Sequence, residues 1–136
     1  MTEHGPALKN LTRAECLHRL GSGGVGRIAL ASDGAPILRP VNFALHEGRI
    51  LIRTGEGSIL SAAERDAATS FEIDGIDPVE HTGWSVIASG ALRDFDGDPE
   101  SAPPLRAWAS GTKHRLVLIE IDTLSGLAIP AGRGNR

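Results

Sequence analysis

The chain has 136 residues, 40% of them apolar and 23% charged, with a net charge of −3, which fits one globular domain with a real core and no room for a second. The slightly acidic balance excludes the electrostatic footprint of a nucleic-acid or anionic-membrane binder, so neither partner is expected. The single cysteine, Cys16, excludes an internal disulfide; with no basic-then-apolar leader and no membrane-length apolar run, the expected compartment is the cytoplasm.

Residues 1–10 read as a flexible arm and 126–136 as a C-terminal tail around one domain, 11–125. Thr12 with Glu15 forms the spacing of a capping box, and the helix it starts, Arg13 to Leu20, puts Cys16, Leu17 and Leu20 on one face. Gly21, Gly23 and Gly26 match the letters G-x-G-x-x-G, but here a helix precedes the run and a β-rich segment follows it. A dinucleotide turn needs the reverse order, so these glycines read as a helix end and a strand entry. Strands follow over Val25 to Ala31 and Pro36 to Leu45, joined by the Asp33-Gly34 turn. Pro40 makes the second strand a local bulge or edge.

Arg49 to Thr54 reads as a strand, Gly55 to Gly57 as a turn, and Ile59 to Glu64 as a helix with Ser58 at its N-cap. Such a turn aims backbone N–H groups at one spot, with Arg53 just before it. It is either an ordinary connection or a phosphate cradle. Ala67 to Asp74 alternates as a strand with Phe71 and Ile73 on one face. Trp84 to Arg93 is a longer strand that Gly90 invites to bend, and Arg115 to Asp122 is the last clear one. Six strands joined mostly as antiparallel hairpins, with two short helices, predict a closed or nearly closed β-barrel, because closure removes exposed edges.

The acidic run Asp94 to Glu100 lacks the glycine position and flanking helices of a calcium loop. The five histidines have no paired ligand spacing, and no G-x-S-x-G elbow is present. No metal is expected, and no catalytic side chain stands out. Trp84 and Trp108 fit the core; equally, with Arg53 and the glycine turn, they could bracket a planar phosphorylated ligand.

The ordered set of motifs resembles the pyridoxamine 5′-phosphate oxidase-like family of split-barrel flavin-binding proteins, in its small actinobacterial-type, nitroimidazole-resistance-like branch. The resemblance covers about residues 11 to 125. It rests on Glu15-Cys16-Leu17, Gly24 to Ala29, Arg39-Pro40-Val41-Asn42-Phe43, Arg53-Thr54 with Gly57-Ser58, Phe71 to Asp74 with Asp77-Pro78, Gly83 to Val86, and Trp108 to Gly111. It implies a six-stranded antiparallel split β-barrel with short flanking helices, and a homodimer with FMN at the subunit interface. Arg39, Pro40, Val41 and Asn42 would line the ring, and Arg53, Thr54, Gly57 and Ser58 would receive the phosphate. Trp84, Ser85 and Trp108 of the second subunit would close the pocket. Ile59 stands where relatives carry a Lys or Arg after the Gly-Ser pair, and Ser125 to Ile129 replaces the family's basic ending. The implied activity is hydride or electron transfer to a small organic substrate such as a nitroaromatic or a quinone. The alternatives are a deazaflavin-coenzyme reductase on the same barrel and a cofactor-free binding module.

Overall fold

The computed structural model of the protein describes residues 7–55, 57–105 and 115–131. Its first regular element after a two-residue strand, β1 (Lys9–Asn10), is helix α1 (Arg13–Leu20), and the capping box is present. Thr12 Oγ1 accepts from the Glu15 N–H at 3.1 Å, and Glu15 Oε1 accepts from the Thr12 N–H at 2.8 Å, so two donors that the first turn leaves unpaired are satisfied locally. The buried face of α1 carries Cys16 and Leu20. The glycine run then leads out of the helix into β2 (Gly24–Leu30), the helix-then-strand order that excludes a dinucleotide turn.

The remaining elements are β3 (Ile37–His46), β4 (Arg49–Thr54), α2 (Ser58–Glu64), β5 (Ala68–Asp77), β6 (Thr82–Asp94), a 3-10 turn at Pro99–Ser101, and β7 (Arg115–Ile129). The strands lie in the order β1-β7-β4-β3-β2-β5-β6, and β6 returns to pair with β7. Strands β2 to β7 therefore close a six-stranded antiparallel barrel of the kind the hairpin pattern predicts, with β1 added along β7.

Two expected boundaries move. The last strand runs past Asp122 to Ile129, because β6 pairs with it along its whole length, from Asp94↔Val117 to Gly83↔Ile129. Lys9 and Asn10, read as part of a loose arm, pair with Ala128 and Leu127. Ladder bonds come from the backbone, so β7 continues where its apolar alternation lapses at Thr123 and Ser125. Near its middle β6 bends: the register shifts between Ser89 and Gly90, and a Cβ at Gly90 would collide with the Glu120 carbonyl. The N-cap of α2 is Gly57 rather than Ser58, which is the first helical residue, and no side chain caps the helix.

The barrel interior is filled by alternate residues of every strand, among them Ile28, Phe43, Ile50, Ile52, Phe71, Val86, Val117 and Ile119. Helix α2 connects β4 to β5 and contributes Ile59, Leu60, Ala62 and Ala63 to the same core. At its centre Phe43 and Phe71 meet edge to face, ring centroids 4.9 Å apart, worth about 0.5–1.5 kcal/mol beyond area burial. A second, smaller cluster lies on the outside of the wall. There Leu51 of β4 and Leu118 of β7 are covered by Leu105, with Phe95 and Ala102 beside it. Arg49 secures this covering segment: its Nη1 donates to both carboxylate oxygens of Asp96 at 3.1 Å and to Glu120 at 3.4 Å. Among the described residues no helix is long and apolar enough to cross a membrane.

The Phe71 ring occupies the space that a side chain at Gly26 would need. Gly26→Val should therefore lower stability by about 1–3 kcal/mol, as overpacked cores do. Gly34→Ala, where a Cβ would meet open space, should leave the thermal unfolding midpoint unchanged. Calorimetry of the two variants checks both.

Candidate functional site

Strand β3 is paired unequally on its two sides. Toward β2 the ladder is regular from Leu30↔Ile37 to Gly24↔Phe43, including Arg27↔Pro40. Toward β4 it exists only from Phe43↔Ile52 to His46↔Arg49. Among the described residues no strand pairs with residues 37–42 of β3 on the side away from β2. Pro40, which has no N–H to donate, sits in the middle of this open edge. The sequence expectation of a local edge is met, without a bulge. Since β2 takes the backbone groups of alternate residues here, the edge leaves only those of residues 37–41 that point away from β2 for something other than a strand.

Alternation decides which predicted site residues share a surface. Asn42 lies opposite Val25, and Pro40 opposite Arg27, on the outer face of the wall. Arg53 lies opposite Leu116, a residue that packs with the outer cluster. Ser85 lies opposite Asp74, also outside. Arg39 is exposed, and its guanidinium donates to the Leu38 carbonyl at 3.3 Å. Arg39 lies opposite Ile28, so alternation sets it on the other face of β3 from Asn42, whereas Arg53 of β4 shares the outer face with Asn42.

Other predicted residues face inward. Val41 packs against the barrel core. Thr54 is buried and its Oγ1 donates to the Gly55 carbonyl at 3.3 Å. Gly57 is exposed and Ser58 half-buried. Ile59 is buried in the core, so its side chain turns away from the turn that precedes it. Trp84 packs against the core as well, with the Arg19 guanidinium 4.3 Å from its ring centroid, a cation–π contact that ties α1 to β6. Trp84 and Ser85, neighbours in sequence, therefore serve opposite faces of β6. Trp108 lies outside the described residues.

The outer face also gathers charges that motif reading did not assign to a site. Arg27 of β2 stands 3.6 Å from Glu72 and 3.8 Å from Asp74 of β5. Burial first, then the hydrogen bond and charge of Asp74, push the Glu72 carboxyl up to about 7, and Arg27 offsets this only in part. The signal was present in the alternation of β5, where Glu72 and Asp74 fall two residues apart and hence on one face. The acidic run after β6 is used structurally: Asp96 holds Arg49, and Asp98 caps the 3-10 turn through the Glu100 N–H at 3.0 Å.

A closed antiparallel barrel with one strand left open along half its length defines a split-barrel domain. The family model described as pyridoxamine 5′-phosphate oxidase matches residues 12–126, and the chain belongs to that family. An uncharacterized protein of Mycobacterium tuberculosis is 32% identical to it over 130 residues, covering 89% of this chain and 85% of the relative. A solved structure, the FAD binding protein of Mycobacterium smegmatis, is 28% identical with a TM-score of 0.71, covering 91% of this chain and 100% of that one. A conserved protein of unknown function from Corynebacterium diphtheriae is 26% identical with a TM-score of 0.69, covering 90% and 98% of the two chains.

The placement of Ile59 generates a prediction. Ile59→Lys buries an ammonium among Leu60, Ala62 and the strand side chains and should cost several kcal/mol. Ile59→Leu, which keeps the volume, should cost less than about 1.5 kcal/mol. Urea unfolding of the two variants separates a core position from a surface one, where both changes would be neutral.

Proposed function

We propose that the protein binds FMN along the open edge of β3 as a homodimer, and that it serves as an oxidoreductase passing hydride or electrons to a small organic substrate. The observation that carries this reading is the stretch of β3 at residues 37–41 that, among the described residues, only β2 flanks, with Arg39 on that strand and Arg53 on β4, in a chain of the pyridoxamine 5′-phosphate oxidase family. The residues present fit such a group. The backbone groups of residues 37–41 that point away from β2 can pair with the polar rim of a planar ring system, with Pro40 and the Val41 backbone against its face. Arg53 ends the outer face of β4 just before the Gly57-Ser58 turn, and a guanidinium holds a phosphate with two parallel bonds. The cation that relatives carry after the Gly-Ser pair has no counterpart at Ile59, and Arg53 and Arg39 take over its charge.

In the dimer the second subunit offers Ser85 from its outer face, while Trp84 supports β6 from within. The bound cofactor supplies the redox chemistry itself; the protein binds, orients and excludes water. The substrate class is a nitroaromatic or a quinone. A second reading, FAD in place of FMN, is favoured by the name of the M. smegmatis relative, and FAD contains the whole of FMN. A deazaflavin coenzyme would need cations for its longer anionic tail.

Titration of FMN, FAD and the deazaflavin coenzyme, followed by cofactor fluorescence, tests the proposal. FMN should bind and quench. Arg53→Ala, shown to be folded by circular dichroism, should weaken it roughly ten- to a hundredfold, the equivalent of a charge-assisted bond of about 1.5–3 kcal/mol. Tighter binding of FAD or of the deazaflavin coenzyme moves the assignment to that cofactor. Binding of none would leave the barrel as a cofactor-free interaction module.

A further inference from the structure

A cleft opens between the last turn of α1, the β5–β6 hairpin and the end of β7. It is lined by Arg19, by residues 75–77 and 82–84 of the hairpin, and by residues 128–131. None of these belongs to β3 or β4, and Trp84 serves the face of β6 opposite Ser85, so the cleft lies apart from the open edge. It measures about 450 Å³, a volume within the range of small-molecule sites.

A glycine seats the indole in its wall. Gly75 and Trp84 lie opposite each other on β5 and β6, and a Cβ at Gly75 would stand 2.6 Å from the indole Nε1. The ring lies against the strand only because that position has no side chain. Arg19 covers the ring, with its guanidinium carbon 4.3 Å from the centroid. An arginine held over an aromatic ring loses freedom in advance, and its N–H donors remain to be used.

Those donors have no use within the described chain. Among the described residues Arg19 makes no hydrogen bond or ion pair. Glu15, the one acid on α1, takes the Thr12 N–H. Asp77, the one acid lining the cleft, takes the N–H groups of Val79 and Glu80 at 3.0 and 3.2 Å. The indole N–H is also without an acceptor among the described residues. Beside these donors the cleft is apolar: Ile76 and Ile129 keep 74% and 40% of their surface exposed, and Pro130 continues the wall.

We propose that this cleft binds a small organic carboxylate with an apolar body, of the benzoate class. The Arg19 guanidinium pairs with the carboxylate beside the indole N–H, and the apolar body lies against Ile76, Ile129 and Pro130. A monocarboxylate suits the cleft better than a phosphate does. One guanidinium matches one negative charge, and the remaining surface rewards apolar area rather than further charge. The site does not depend on the flavin reading.

Titration of the full chain with sodium benzoate at constant ionic strength, read by the NMR signal of the Trp84 indole N–H, tests this. Trp108→Phe assigns that signal. Benzoate should shift it and saturate with a Kd of roughly 1 mM, as a ligand of this size allows. Arg19→Gln, at an exposed position and checked by its melting curve, should weaken binding about ten- to a hundredfold. Benzyl alcohol lacks the charge and inorganic phosphate lacks the apolar body, so each should need about tenfold more to produce the same shift. A benzoate shift unchanged in Arg19→Gln, equal binding of benzyl alcohol or phosphate by the wild type, or no shift at about 20 mM benzoate overturns the assignment.

Discussion

The constraint on which the rest of the structure depends is closure of the sheet by β7. This strand pairs along its length with β6, over its first part with β4 and over its last part with β1. A barrel closed this way has no outer edge left to protect except where two strands diverge. The divergence falls between β3 and β4, since β4 follows β7 rather than the first half of β3. The long strand thus both completes the core and creates the unpaired stretch beside Pro40. A ligand that binds there completes a hydrogen-bond ladder that the fold itself leaves unfinished.

Local chemistry was legible wherever it depends on neighbours in sequence. The Thr12–Glu15 box, the glycine run after α1 and the open edge at Pro40 each follow from two or three residues whose backbone requirements admit few alternatives. The start of α2 was misread because Ser58 is a better capping residue than Gly57 by side chain. The chain places the turn one position earlier and leaves the helix without a side-chain cap. The end of β7 was hidden for a different reason: a strand held on both sides by backbone bonds needs no apolar alternation to persist. β1 has only two residues, too few to carry any period.

The candidate site was legible as a list of residues but not as a surface. Asn42 and Arg53 belong on one face, while Val41, Thr54 and Ile59 belong to the core behind it. Alternation within each strand indicates as much, but the register between strands is needed to say which faces coincide. Ile59 shows the consequence. Aligned as a lost phosphate ligand, it is a packing residue of α2. Trp84 shows it again, its ring held by Arg19 on the side opposite Ser85.

The outer face combines features that rarely coexist on a surface meant only for water. Apolar side chains as exposed as Leu38 usually occur singly, and a carboxylate beside a second carboxylate usually sits where solvent can screen it. Here Glu72 has only 30% of its side chain exposed, and its single counter-charge is divided between two acids. Such an arrangement is destabilising for the lone chain at neutral pH, because the folded state holds a proton that the unfolded state releases. The open edge and the charged cluster occupy adjacent strips of one wall, β3 with β4 and β2 with β5, so whatever orders one strip fixes the register of the other through Arg27↔Pro40.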